Sequence, residues 1–407
     1  MSLRHWKEAA AIAIGLSVGC LLAEAGTRVY FAFVIGPRVL LYGTDWYRNI
    51  DPSTRQKRGW VSELERQRAA KEAARKDTAE VHGQGLGGYS KFFPNEIKTT
   101  KNPDTGERIP VTINSSGFRG REFSTQKAPG VVRVLTMGAS STFGYYNHDD
   151  ETYPSRLEQL LNERCAGAPR FEVINFAIPH ATSTNVANML LAEGVALTPD
   201  IVTFYEGRND SVLERPPGNV LQKLHSVLVH RLLLAAFIDQ ILVGERVSLT
   251  DPSLRLGPLA DERSRIFLRN LTTMLEAGQK NGFQLIVASQ QATSTSPLPG
   301  AVQERMALRG ISLDKEVGEI QRRMERNEHV NAFEYSLLIH RRLMGDLRQW
   351  AEKRSVPFVD VVGALDQDRH YLLSWVHLHP DANRVVAAKL AEPIMSRFCT
   401  AGAISPR

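Results

Sequence analysis

The sequence predicts an α/β fold: a parallel sheet of about five strands with helices on both faces, preceded by an N-terminal membrane helix. Three observations predict it. Between Val131 and Met395, short β-branched runs alternate five times with helical patterns, as parallel sheets with crossover helices require. The 407 residues are 43% hydrophobic, 23% charged and 8% aromatic, enough apolar mass for a sizeable core. Ahead of these lies an uncharged run from Ala9 to Ala23, rich in Ala, Ile, Leu and Val. Thirty Gly and 20 Pro are near average usage, which excludes collagen-like and wholly disordered chains.

The elements follow in order. Arg4, Lys7 and Glu8 precede the apolar run, Glu24 ends it, and Val29–Ile35 adds a second apolar patch after Arg28. Fifteen residues fall short of the roughly 20 that a bilayer core of about 30 Å requires. Two readings fit residues 1–40: a signal peptide cleaved at the small-x-small site Ala23-Glu24-Ala25, or a retained anchor extended by the second patch. The anchor is favoured, and both readings place everything after residue 40 outside the cytoplasm. Residues 41–88 read as a charged helical spacer, broken at its end by Gly83, Gly85, Gly87 and Gly88. Its Arg and Lys residues (Arg55 to Lys76) are interleaved with Glu63, Glu65, Glu72 and Asp77, as on a solvated helix face with i,i+4 pairs. Much of the basic character behind the formal net charge of +6 sits there, with no aromatic-plus-basic motif for stacking bases, so no nucleic-acid partner is expected.

Residues 89–130 are a Pro-, Gly- and Asn-rich lead-in of turns and short strands, including Asn114-Ser115-Ser116-Gly117-Phe118-Arg119-Gly120. Strands are then expected at Val131–Met137, Phe171–Ala177, Ile201–Tyr205, Phe283–Ala288 and Phe358–Val362. Helices are expected around Glu158–Asn162, over 183–196, along Phe267, Leu271, Met274 and Leu275, along Ile339, Leu343, Leu347 and Trp350, and over 381–397. Three cysteines, Cys20, Cys165 and Cys399, exclude a disulfide scaffold and a Cys-x-x-Cys zinc site. An oxidising compartment would allow Cys165 and Cys399 to pair, but sequence says nothing of their geometry.

A parallel sheet places ligands beyond the carboxyl ends of its strands, so the residues following each strand are the ones to inspect. After the first comes Gly138-Ala139-Ser140-Ser141-Thr142-Phe143-Gly144, a strand-to-helix turn that exposes a Ser nucleophile near a helix start. The bland alternative is that Ser140, Ser141 or Thr142 caps that helix. After the third comes Gly207-Arg208-Asn209-Asp210, where an Asn amide can donate to an oxyanion or simply form a turn. Before the last helix stands Trp375-Val376-His377-Leu378-His379-Pro380, with two histidines eligible as general base. A His377-x-His379 metal pair lacks a third ligand, and neither metal nor cofactor is expected.

Together these blocks resemble the SGNH (GDSL) hydrolase superfamily from about Val131 to Met395. Gly138-Ala139-Ser140 is similar to the Gly-Asp-Ser nucleophile block, and Thr142-Phe143-Gly144 continues it. Gly207-Arg208-Asn209-Asp210 matches the Gly-x-Asn-Asp block, and Val376–Pro380 is similar to the block that supplies the catalytic His. The resemblance implies a flavodoxin-like three-layer α/β/α sandwich over residues 131–400 that hydrolyses or transfers acyl esters. It implies Ser140 as nucleophile, His377 as base, and an oxyanion hole made by the amides of Ser140 and His180 and the side chain of Asn209. Arg208 is expected to face the substrate or, as the bland alternative, to pair with a surface acid, and His379 to stand on the rim of the site or simply as the N-side neighbour of Pro380. Three positions depart from the pattern: Ala139 replaces an Asp that is not the nucleophile, His180 stands where a Gly donates its amide, and Ser374 replaces the orienting Asp. A Ser374 hydroxyl, a main-chain carbonyl, or Asp366 or Asp368 from the same loop then has to hold the imidazole.

The lead-in and the anchor resemble a bacterial subset linked to cell-envelope polysaccharides. That implies a single-pass inner-membrane protein with its catalytic domain in the periplasm. The expected activity is a membrane-tethered serine esterase acting on short acyl esters or O-acetylated glycan. Two alternatives stay open: an O-acetyltransferase using the same residues, and a catalytically degenerate protein that binds glycan or a partner.

Overall fold

A computed structural model describes residues 3–35, 94–165, 169–212, 256–295, 302–326 and 330–399, together with positions 40, 89, 91, 92, 232, 234 and 328. The spacer expected over 41–88 lies outside the described residues. The chain divides into two compact units, one of residues 1–79 and 214–247, the other of residues 80–213 and 248–407.

In the first unit, helix α1 runs over Leu3–Ile35 without a break at Glu24. That carboxylate is buried and satisfied: Arg28 Nε donates to one oxygen at 2.7 Å and the Leu234 N–H to the other at 2.9 Å. Val18, Leu21, Leu22, Val29 and Phe33 are exposed on α1. Among the described residues, no helix is long and apolar enough to cross a membrane.

The second unit holds the sheet. Its elements are β1 (Ile97–Lys101), β2 (Arg108–Thr112), β3 (Val131–Gly138), α2 (Ser140–Phe143), α3 (Tyr153–Arg164), β4 (Arg170–Ala177), α4 (Ser183–Met189), β5 (Ile201–Tyr205), α5 (Arg208–Ser211), α6 (Leu256–Asn281), β6 (Gln284–Ala288), α7 (Val302–Ala307), α8 (Leu313–Glu325), α9 (Ala332–Lys353), β7 (Phe358–Val359), α10 (Val361–Leu365) and α11 (Pro380–Phe398). β1 and β2 pair as an antiparallel hairpin within the lead-in. β3 to β7 form one parallel sheet in the spatial order β4-β3-β5-β6-β7. Counted from its first strand this is 2-1-3-4-5, the flavodoxin-like doubly wound order.

The strands read as near-continuous apolar runs because both faces are covered. Successive side chains alternate between two cores. Leu135, Met137, Val202 and Phe204 pack with Phe267 and Leu271 of α6 and Leu343 and Leu347 of α9. Val134, Ile201, Tyr205 and Ile286 pack on the opposite face with Leu157 and Leu161 of α3 and Val386 and Leu390 of α11.

Two expectations need correction. The last strand stops at Val359 rather than at 362, because the Asp360 carboxylate accepts the Gly363 N–H and caps a new helix, α10. Cys165 and Cys399, whose pairing was left open, form a disulfide with Cα atoms 5.4 Å apart, joining the C-terminal ends of α3 and α11.

Candidate active site

The strand order reverses beside β3: β4 lies on one side of it and β5 on the other. A doubly wound sheet binds its ligands at such a switch point, beyond the carboxyl ends of those strands. Gly138 ends β3 in register with Tyr205, the end of β5. A Cβ at Gly138 would stand 2.2 Å from Thr142 Oγ1 and 2.4 Å from the Tyr205 carbonyl, so the turn into α2 closes only over a glycine. Ser140 is the first residue of α2 and half-buried. Ala139 is the N-cap and no side chain caps this helix, which removes the capping alternative for Ser140, Ser141 and Thr142. Ser141 Oγ instead donates to the Val376 carbonyl at 2.9 Å and accepts from Gln290 Nε2 at 3.3 Å. The bond to Val376 fastens the Ser140 turn to the residue preceding His377.

His377 lies among aromatic groups. Tyr145 stacks on its ring with centroids 5.4 Å apart, and Tyr146 meets it edge-on at 5.0 Å. Tyr146 itself sits in the left-handed region at φ 70°. Ser374 Oγ lies 2.5 Å from Nδ1, so the hydroxyl occupies the place of an orienting acid. Neither expected aspartate contacts the ring: Asp366 accepts from Gln291 Nε2 and the Leu313 N–H, while Asp368 starts the turn that leads into Tyr371. Nε2 is shielded and without a partner, so no hydrogen bond joins it to Ser140 Oγ. Desolvation first, and the nearby His180 second, push the imidazole down to about 3, and no carboxylate opposes them. The ring is therefore neutral at ordinary pH. With Nδ1–H given to Ser374 Oγ, the lone pair at Nε2 is free to accept a proton.

The turn after β4 holds His180. Ala181 N–H donates to the Ile178 carbonyl at 3.2 Å, closing a turn with Pro179 second and His180 third. His180 has φ 66°, the left-handed geometry that a type II turn demands at its third residue. A glycine ordinarily meets that demand, and here a histidine does, with its side chain exposed. The Asn209 side chain donates one N–H to the Ala181 carbonyl at 2.9 Å. A primary amide carries two such hydrogens, and this is the one side-chain bond that Asn209 makes among the described residues.

Arg208 is placed otherwise than expected, and His379 stands half-exposed beside Pro380 at the start of α11. Arg208 is buried rather than facing a substrate; its guanidinium donates to Ser211 Oγ at 3.2 Å and to the Phe333 carbonyl at 3.4 Å. His379 is the N-cap of α11, where Nδ1 accepts the Asp381 N–H at 3.3 Å and the ring stacks on Tyr371. Among the described residues no group of His, Cys, Asp and Glu could hold a metal ion.

Sequence reading missed Glu206, Gln290, Tyr145 and Tyr146. Glu206 and Gln290 follow β5 and β6 within two residues, so the rule that singled out Ser140 would have found both. Tyr145 and Tyr146 come straight after Gly144, the left-handed cap of α2, but a Tyr-Tyr pair carries no chemical signature of its own.

No family model matches the chain, and no curated protein matches it. Among solved structures, a lipase/acylhydrolase from Enterococcus faecalis is 16% identical, with a TM-score of 0.39, over 66% of this chain and 97% of the other. An aryl esterase from M. smegmatis is likewise 16% identical, with a TM-score of 0.39, over 65% of this chain and 99% of the other. At such identity and superposition the likeness is distant, and the chain's own residues carry its functional reading.

Proposed function

We propose that the protein is a serine esterase of the SGNH type, tethered to a membrane by α1 and acting outside the cytoplasm on short acyl esters, O-acetylated glycan among them. The observation that carries this reading is the bond from Ser141 Oγ to the Val376 carbonyl, which brings the Ser140 turn against His377 at the sheet's switch point. In the proposed reaction Ser140 Oγ attacks the ester carbonyl while His377 Nε2 takes its proton. The second side-chain N–H of Asn209 and the main-chain amides of Ser140 and His180 bind the oxyanion. His377 then returns the proton to the leaving alcohol, and water resolves the acyl-enzyme by the same steps in reverse. A sugar hydroxyl in place of that water makes the same centre an acetyltransferase.

Ser374 is the sole polar support of the imidazole among the described residues, so turnover is expected to be slow beside a full triad. The Cys165–Cys399 disulfide supports the extracytoplasmic placement, since such bonds persist in oxidising compartments. The apolar residues exposed on α1 support the tether.

A second reading, glycan or partner binding without turnover, is favoured by the missing bond between Ser140 and His377 Nε2. Such bonds often tighten only when substrate is bound, so this geometry does not count against catalysis. The deciding experiment is 4-nitrophenol release from 4-nitrophenyl acetate by the full chain, alongside Ser140→Ala and His377→Ala. The esterase reading requires turnover that both substitutions reduce to background. Equal rates for wild type and Ser140→Ala would favour the binding protein.

A further inference from the structure

Glu206 is the residue between β5 and Gly207, and it is buried with 1% of its surface exposed. A carboxylate so placed needs donors, and it has them. The Asn209 main-chain N–H donates to Oε1 at 2.8 Å, and the nearby Gly207 N–H and Gln290 side-chain amide also favour its charged form. All three donors belong to segments that build the site. Gly207 and Asn209 form the first turn of α5, and Gln290 Nε2 also donates to Ser141 Oγ beside the nucleophile. Gln290 Oε1 accepts the Arg208 N–H at 2.8 Å, and its carbonyl contacts His340 Nε2 at 2.7 Å.

We propose that Glu206 is a positioning residue for Asn209: its buried carboxyl, bonded to the Asn209 main-chain N–H, fixes the turn that aims the Asn209 side chain at the oxyanion. The proposal rests on the esterase reading above. α5 is one turn long and cannot hold itself in place by its own hydrogen bonds. Two tethers fix Asn209 instead: Glu206 on its main chain and the Ala181 carbonyl on its side chain. A third holds the next residue, where the Ser183 N–H and hydroxyl donate to the Asp210 carboxylate at 2.8 and 2.5 Å.

The protonation of Glu206 should therefore reach Asn209. Desolvation, helped by Asp210, pushes the Glu206 carboxyl up to about 8, while the hydrogen bonds from Asn209, Gly207 and Gln290 oppose the rise. The charged and titratable groups that face it are Asp210 and Arg208 on α5, Tyr205 at the end of β5 and Tyr153 on α3, with His340 of α9 one bond away through Gln290.

The test compares kcat and KM for 4-nitrophenyl acetate among the full-length wild type, Glu206→Gln, Glu206→Ala, Asn209→Ala and the Glu206→Ala/Asn209→Ala double variant. Asn209→Ala is expected to lose about 10²–10³ in kcat, the size measured for a lost oxyanion donor. Glu206→Ala is expected to lose roughly 10–100-fold in kcat with KM nearly unchanged, and Glu206→Gln less, because its amide oxygen still accepts the Asn209 N–H. The double variant should match Asn209→Ala, since a residue acting through Asn209 has nothing left to position. Losses that multiply in the double variant would overturn the proposal.

A second readout needs no turnover. The side-chain amide signals of Asn209 in ¹⁵N-asparagine-labelled protein, identified by their absence in Asn209→Ala, should move with a midpoint near pH 8 in the wild type and stay still in Glu206→Gln. Signals that ignore pH in the wild type would also overturn the proposal. Titrating signals in a protein without turnover would support the hold of Glu206 on Asn209 and sink the esterase reading alone.

Discussion

At the scale of single residues, the site departs from its sequence blocks where backbone and protons are at stake. His180 accepts a left-handed conformation that costs an ordinary residue about 1–2 kcal/mol, and keeps it because the Ile178–Ala181 turn is closed on both sides. If catalysis uses the amide of His180, His180→Gly keeps turnover within about threefold. Relief of the strain is offset in part by roughly 0.4–1 kcal/mol of unfolded-chain entropy, so the melting temperature rises by a few degrees at most. Loss of turnover in that variant would show that the imidazole acts instead. Ser374→Asp places a carboxylate against Nδ1, which raises the proton affinity of His377 from its depressed value of about 3. The acid limb of the pH–rate profile should move upward, and kcat should rise by about tenfold or more. The blocks around Ser140, Asn209 and His377 were legible because their chemistry is tied to residue type. Ser374 was legible only as one of several groups able to hold the imidazole, and Glu206 went unread although it directly follows β5, because a carboxylate before a glycine carries no chemical signature of its own.

At the scale of elements, the sheet was legible almost strand by strand, since strands covered on both faces must be continuously apolar. The miss at β7 has a local cause: Phe358-Val359-Asp360-Val361-Val362 reads as a strand by composition, but Asp360 caps a helix in its middle. The hairpin of β1 and β2 was legible as short strands among turns but not strand by strand, because five-residue strands with mostly polar outward faces carry little pattern. The disulfide joins elements 234 residues apart in sequence, a separation from which contact could not be read. Cross-links over loops of that length stabilise by roughly 2–5 kcal/mol. Reduction, or Cys165→Ser with Cys399→Ser, should therefore lower the melting temperature by several degrees without abolishing turnover, since both cysteines cap the far ends of α3 and α11. A melting temperature indifferent to reductant would mean the bond contributes nothing.

At the scale of the whole molecule, buried titratable groups pull stability in two directions. His340 and His377 are pushed down from 6.5 to about 4 and about 3, so below about pH 6.5 the unfolded chain binds protons that the fold refuses, and stability falls with pH. Glu206 and Asp210 are pushed up to about 8 and about 6, so the fold keeps protons that the unfolded chain has released, and stability falls as pH rises toward 8. Denaturant titrations should therefore find greatest stability near pH 5–6, and Glu206→Gln should flatten the alkaline side. A maximum above pH 8 would contradict this balance. The Cys165–Cys399 bond also gives the chain a covalent topology: residues 165–399 form a ring, and residues 1–164 and 400–407 leave it as a long and a short tail. A protease that cuts once anywhere within the ring, the 214–247 stretch included, releases nothing, and the nicked protein migrates as one species until a reductant separates its two pieces.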